Sequence, residues 1–95
     1  MASGRLTADG STPWVTIQAA EGTRPNISFA GDFGSGTVTL EKQLDGTTYD
    51  LLDNGVAITL TDDDDSSYNL APGMKVRGTL AGSSSPDIDW YISGV

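Results

Sequence analysis

The chain has 95 residues, and its thirteen acidic and five basic side chains give it a formal net charge of −8. This charge repels phosphate backbones and anionic membranes, so we expect neither a nucleic acid nor a membrane as a partner. The sequence has no cysteine and no histidine, which excludes disulfides, thiolate metal sites and most hydrolase schemes that need a histidine base, so a small hydrolase is disfavoured and we expect no cofactor.

Residues 1–13 are small and polar and end at Pro13, which predicts an extended N-terminal arm followed by one domain over residues 14–95. A short strand at residues 6–8 also fits this segment. The start of the chain has no hydrophobic signal core, and no run approaches the roughly 18 apolar residues that cross a bilayer. We therefore expect synthesis in the cytoplasm.

Two short segments after the arm alternate apolar and polar residues with the period of a half-buried strand. Val15 and Ile17 share one face of residues 14–18, and Ile27 and Phe29 share one face of a second segment. Both segments are predicted to be strands.

Residues 36–62 alternate like consecutive strands and are interrupted by two turn signals, Asp-Gly at 45–46 and Asn-Gly at 54–55. These dipeptides favour tight hairpins because both central positions of the turn need positive φ. Between the turns, Tyr49 and Leu51 are predicted to continue an apolar face. The region therefore predicts a meander of three strands.

Four consecutive aspartates follow at residues 62–65 and interrupt the alternation. A solvated loop is the first interpretation. Calcium accepts carboxylate oxygens from flexible loops, but this run does not reproduce the spaced acidic pattern of a calcium-binding loop. If a cation binds here, Asp62 and Asp64 are the expected ligands, because alternate residues of an extended segment face the same way.

The alternation returns at residues 74–80 and again near the end of the chain. Trp90 shares a face with two isoleucines and is predicted to pack in the core. Asp87 and Asp89 lie on the opposite face, and their spacing is conceivable for a pair of glycosidase carboxylates. A simpler interpretation is that Asp87 and Asp89 lie on the solvent-exposed face of an amphipathic strand.

Together these segments make about seven or eight short strands, with no helical period in the chain. The pattern predicts an all-β fold: a single small antiparallel β-sandwich, either jelly-roll or immunoglobulin-like, with a closed barrel as the alternative. Trp14 and Tyr91 lie off the apolar faces, which makes them candidates for a protein or glycan interface.

The order of these elements resembles that of small bacteriophage virion proteins. The resemblance includes a glycine-rich hairpin at residues 34–49, a threonine-rich strand at 56–61, a strand that begins with Pro-Gly-Met at 72–80, and a terminal aromatic and aliphatic strand at 88–92. It covers most of the chain after residue 25 and includes no catalytic motif.

The resemblance implies a structural protein of the virion that decorates or cements the head. Such a protein binds the outer surface of the major capsid protein, here as a homotrimer, and is made in the host cytoplasm. The expected interface residues are Trp14, Tyr91, Arg5 and Leu6, with residues 1–13 as the anchor. The alternatives are a tail or adaptor component of the virion, or a carbohydrate-binding, adhesin-like sandwich module.

Overall fold

The computed structural model describes residues 2–18, 24–53, 55–68 and 70–94. The regular structure in these ranges is all strand, and they contain no helix that would be long and apolar enough to cross a membrane. The strands are β1 (Ala2–Leu6), β2 (Gly10–Ser11), β3 (Val15–Thr16), β4 (Asn26–Asp32), β5 (Thr37–Leu44), β6 (Thr47–Asp50), β7 (Leu52–Asp53), β8 (Val56–Ala57), β9 (Thr59–Leu60), β10 (Asp64–Ser67), β11 (Lys75–Ala81) and β12 (Asp87–Ile92). The predicted all-β, antiparallel class is confirmed.

Four of the strands form one antiparallel sheet in the order β1-β12-β4-β10. Its first strand pairs along its whole length with β12, from Ala2 opposite Ile92 to Leu6 opposite Ile88. Residues 1–13 were expected to form an extended N-terminal arm. In the structure, β1 is an edge strand of this sheet and β2 pairs with β11 in the second sheet.

A second sheet has six strands, with the order β2-β11-β5-β6 along its main path. Strand β3 pairs with β11 beside β2, and β9 pairs with β5 beside β6. The predicted Asp-Gly hairpin joins β5 to β6, with φ of 49° at Asp45 and 79° at Gly46. Gly55 of the second predicted turn also has positive φ, and Asn54 lies outside the described residues.

The meander predicted for residues 36–62 is divided where three strands meet. Leu51 N–H donates to Leu40 O at 2.9 Å, Leu40 N–H donates to Ile58 O at 3.0 Å, and Ile58 N–H donates to Leu51 O at 3.0 Å. Beyond this junction β6 leaves β5 and continues as β7, which pairs with β8 to form a separate two-stranded hairpin. The break contributes to the count of twelve strands in the described residues, where the sequence predicted seven or eight.

Both larger sheets contribute side chains to one hydrophobic core. Phe29 of β4 lies against Gly78 of β11, where a β-carbon would also come within 3.1 Å of Val38 Cγ1. The Trp90 indole covers Gly4, whose β-carbon would lie 2.9 Å from the indole Nε1. Trp90 is therefore a core residue, as its position on the strand predicts. The buried apolar residues are Val15, Ile17, Ile27, Phe29, Phe33, Val38, Leu40, Leu51, Leu60, Leu70, Val76, Leu80, Ile88, Trp90 and Ile92.

The aspartate run does not form the predicted loop throughout. Asp64 and Asp65 begin β10, which pairs with β4 so that Asp64 lies opposite Phe29 and Asp65 opposite Ser28. The loop was predicted because the four aspartates interrupt the apolar alternation, and aspartate is also depleted in strands. The hydrogen bond from Ser28 Oγ to Asp65 Oδ1, 2.8 Å long, supports the strand at this edge.

Candidate interaction surfaces

Arg5 and Tyr91, two of the four predicted interface residues, lie on the outer face of the four-stranded sheet. Arg5 Nε is 3.1 Å from Asp89 Oδ1 and 3.3 Å from Asp87 Oδ1. The hydrogen bond to Asp89 and the charges of both aspartates raise the pKa of Arg5. All three side chains are exposed, so solvent screens these ion pairs and they contribute little to stability.

Tyr91 is half-buried, although it was expected to be a free surface aromatic. Its neighbours across the two ladders are Ser3 on β1 and Ser28 on β4. Small side chains on both sides leave space for the ring on this face. Asp87 and Asp89 share the same face and are exposed, which confirms the predicted wet face of β12.

The Leu6 side chain lies on the core-facing side of β1, opposite to that of Arg5. It is partly buried and packs against the hydrophobic core, and its partner across the ladder is the buried Ile88. The Leu6 side chain therefore already has contacts within the chain. An interface at this position would have to use the backbone of edge strand β1 rather than the Leu6 side chain.

Trp14 lies on the outer face of the six-stranded sheet, in a network of polar side chains. The Arg77 guanidinium carbon is 4.3 Å from the centre of the Trp14 ring, and Arg77 Nε is 2.8 Å from Glu41 Oε1. Thr79 also donates a hydrogen bond to Glu41. Burial acts to raise the pKa of Glu41, but the bonds from Thr79 and Arg77 outweigh it and lower the pKa. The four predicted interface residues are thus divided among two outer faces and the core.

The aspartates of the predicted cation site have separate hydrogen-bond partners. Asp62 Oδ1 accepts from the Asp63 N–H at 2.8 Å, and Asp64 Oδ2 accepts from the Ser66 hydroxyl at 3.1 Å. In the part of the chain that the structure describes, no group of three or more acidic, cysteine or histidine side chains is arranged to hold a metal ion.

An exposed apolar surface lies at the end of the β5–β6 hairpin. Leu44 is 45% exposed, Tyr49 is 50% exposed, and Leu52 at the start of β7 is 52% exposed. With Lys42 and Asp50 they line an open groove of about 240 Å³. We call this surface, formed by these five residues, the hairpin groove.

The hairpin groove continues the core-facing side of the six-stranded sheet. Val38, Leu40, Lys42 and Leu44 alternate onto one side of β5, and Tyr49 pairs with Lys42 on that same side. Val38 and Leu40 are buried, whereas Leu44 and Tyr49 are not. The hairpin therefore extends beyond the part of the core that covers the first half of β5.

A free backbone edge borders the hairpin groove. Among the described residues, β6 is the edge strand at one end of the strand order β2-β11-β5-β6. The Leu51 N–H bonds back to Leu40 O, and bonding direction alternates along an antiparallel strand, so the N–H and C=O groups of Thr48 and Asp50 point away from β5. Such an edge is able to pair with another extended segment.

The sequence pattern missed this surface. Tyr49 and Leu51 were predicted to share an apolar face, but Leu51 is 6% exposed while Tyr49 is half exposed. Alternation identifies the face of a strand and does not indicate where the opposing layer ends. A tyrosine beside the Asp-Gly turn was the one available signal, because hairpin ends often extend beyond a core.

A second concavity, of about 380 Å³, has a more polar lining that includes Arg24, Asp53, Ser66 and Tyr68. Arg24 Nη2 donates to Ser67 O at 3.0 Å. Burial is the main cause that raises the pKa of Tyr68, and the nearby charge of Asp64 also raises it. The phenol is therefore neutral at physiological pH.

Comparisons with protein-family models, with curated proteins and with solved structures found no match to this chain.

Proposed function

We propose that this protein is a non-enzymatic structural component of a bacteriophage virion. It binds the outer surface of the major capsid protein as a homotrimer and thereby decorates or cements the head. In this proposal the two larger sheets pack as a β-sandwich, jelly-roll or immunoglobulin-like in topology. The supporting observation is the hairpin groove, where half-exposed Leu44, Tyr49 and Leu52 adjoin a free strand edge. Contiguous apolar surface of this kind is typical of protein interaction sites.

The mechanism is adhesion. A small domain of 95 residues buries a modest share of its surface and gains from association with partners. A trimer presents three copies of each binding surface, so the second and third contacts form at a high effective concentration once the first has formed. Weak individual contacts are then sufficient for stable attachment to a capsid with repeated sites.

Immunogold electron microscopy of phage particles from the source culture tests this function. Antibody raised against the recombinant chain is expected to label heads. Label confined to tails would assign the chain to a tail or adaptor component, and absence of label would contradict a role in the virion. Light scattering after gel filtration tests the trimer, whose expected mass is three times the 9.9 kDa of one chain.

The polar concavity favours one second candidate, a carbohydrate-binding or adhesin-like module. Sugars bind to clefts that combine polar side chains with an aromatic ring, and Arg24, Asp53 and Tyr68 provide these groups. A glycan-array signal lost in Tyr68→Ala would support this function at the concavity. Loss in Tyr91→Ala would instead place a glycan on the outer face of the four-stranded sheet.

A further inference from the structure

The free edge of β6 has the geometry to accept one more strand. The outward backbone groups of Thr48 and Asp50 are two residues apart, which is the spacing at which an added strand forms its hydrogen bonds. A strand that pairs here lies with one of its sides beside Tyr49 and Leu44. Its other side lies beside Asp50, because alternate residues of β6 face opposite ways.

The side chains on the two sides of this edge differ in character. On the core-facing side, Leu44 and Tyr49 are about half exposed, and Leu52 adds a further exposed apolar side chain to the lining of the groove. Asp50 is exposed on the other side, directly across the ladder from Glu41. An added strand therefore finds apolar contacts on one side and carboxylates on the other.

The charges around the hairpin groove select the partner. Asp50 is the acidic residue and Lys42 the one cation among its lining residues, and Asp45 is exposed in the turn that joins β5 to β6. Two copies of the chain joined at this edge would bring their carboxylates together, and each copy already carries a net charge of −8. A basic partner would be attracted by the same groups.

We infer that the hairpin groove binds an extended, positively charged segment of the capsid protein, which pairs with β6 as an additional strand; this inference rests on the proposed function. The segment alternates apolar residues, which contact Tyr49 and Leu44, with lysine or arginine beside Asp50. Backbone hydrogen bonds supply affinity in this mode of recognition, and the alternate side chains supply specificity.

Nuclear magnetic resonance of the ¹⁵N-labelled chain tests the inference with synthetic peptides as probes. A capped peptide of alternating lysine and valine is expected to shift the amide signals of Thr48 and Asp50 and to slow their hydrogen exchange. The matched peptide of glutamate and valine is expected to bind at least about tenfold more weakly, and a proline at the centre of the basic peptide should abolish the exchange protection.

Two variants locate the site. Tyr49→Ser is expected to weaken binding of the basic peptide about tenfold, while Val56→Ser should leave it within about twofold. Val56 is the matched control because it is 67% exposed and lies across the β7–β8 ladder from Asp53, on the side opposite Leu52. Dispersed spectra of both variants verify folding. Equal binding by Tyr49→Ser, equal binding of the acidic peptide, or shifts confined to another surface would overturn the inference.

Two further measurements separate this inference from its alternatives. If sedimentation equilibrium shows that the wild-type chain self-associates and Tyr49→Ser does not, the groove is occupied by a second copy and the inference is wrong.

Co-sedimentation with phage heads distinguishes failure of the inference from failure of the proposed function. Heads that bind wild type and Tyr49→Ser equally contradict the inference alone, whereas heads that bind neither protein contradict the function.

Discussion

Leu40 and Leu44 lie on the same side of strand β5, yet Leu40 is 1% exposed and Leu44 is 45% exposed. Two leucines of the same strand therefore have different roles, one in the core and one on the surface. Leu40 packs within the hydrophobic core, while Leu44 belongs to the hairpin groove beyond it. Substitution of Leu40 should therefore affect stability, whereas substitution of Leu44 should mainly affect binding.

Leu40→Ala is expected to lower the free energy of unfolding by about 2–5 kcal/mol, because it removes buried methyl groups and leaves a cavity. Leu44→Ala should lower it by less than about 1 kcal/mol, since much of the side chain is already in contact with water. Urea denaturation followed by circular dichroism measures both. Similar losses for the two variants would contradict the assignment of Leu44 to an uncovered surface.

Glycine at position 78 is required by the close approach of the two sheets. A β-carbon there would overlap the Phe29 ring, so Gly78→Ala is expected to destabilise the chain by about 1–3 kcal/mol. Ala81→Ser adds one atom at an exposed position of the same strand and serves as the control, with an expected change within about 0.5 kcal/mol. A neutral Gly78→Ala would indicate that the sheets are further apart than described.

Acid should destabilise the fold through carboxylates whose pKa is lowered by hydrogen bonds. The Ser83 hydroxyl and N–H lower the pKa of Asp9, and the Ser28 hydroxyl lowers that of Asp65. The Thr79 and Arg77 bonds, which outweigh burial, lower that of Glu41 below its ordinary value of 4.5. A lowered pKa in the folded chain gives stability that is present above the ordinary value and is lost as pH falls through the folded value.

Glu41→Gln should therefore lose less stability than the wild type as pH falls below 4.5, the ordinary pKa of this side chain, while it lowers stability at pH 7 by about 1–3 kcal/mol through weaker bonds to Arg77 and Thr79. Thermal unfolding at a series of pH values measures both effects. Asp45→Asn, which removes one negative charge at an exposed position of the β5–β6 turn, is the control for the change of charge. A wild-type midpoint that does not fall in acid would contradict this network.

Removal of residues 2–6 tests whether the start of the chain is an arm or a structural strand. Strand β1 covers one side of β12, and the Trp90 indole packs over Gly4. The truncated chain is expected to unfold at a lower temperature and to show red-shifted tryptophan fluorescence, with Trp14→Phe used to isolate the Trp90 signal. An unchanged midpoint and spectrum would support a free arm.

The sequence predicted those features that depend on local chemistry. The Asp45-Gly46 turn followed from its need for positive φ, and burial of Trp90 followed from strand alternation. Features that depend on distant parts of the chain were missed. Asp64 is in a strand because β4 offers an edge, and Tyr49 is exposed because the core ends before the hairpin does.

The candidate interface residues illustrate the same limit. Trp14 and Tyr91 were correctly placed off the apolar faces, but alternation does not reveal that Arg77 lies over Trp14 or that Leu6 packs inward. The free edge of β6 depends on strand order, which one sequence does not specify. Pairing partners, rather than residue types, decide where this protein has surface available for binding.

Cryo-electron microscopy of phage heads from the source culture tests capsid decoration at the level of single residues. We predict density for three copies of the chain at each occupied site on the outer capsid surface, with the β5–β6 hairpin against a capsid subunit and an added strand beside Thr48 and Asp50. Heads that carry no density for this chain, although the protein is present in the lysate, would contradict the proposed function.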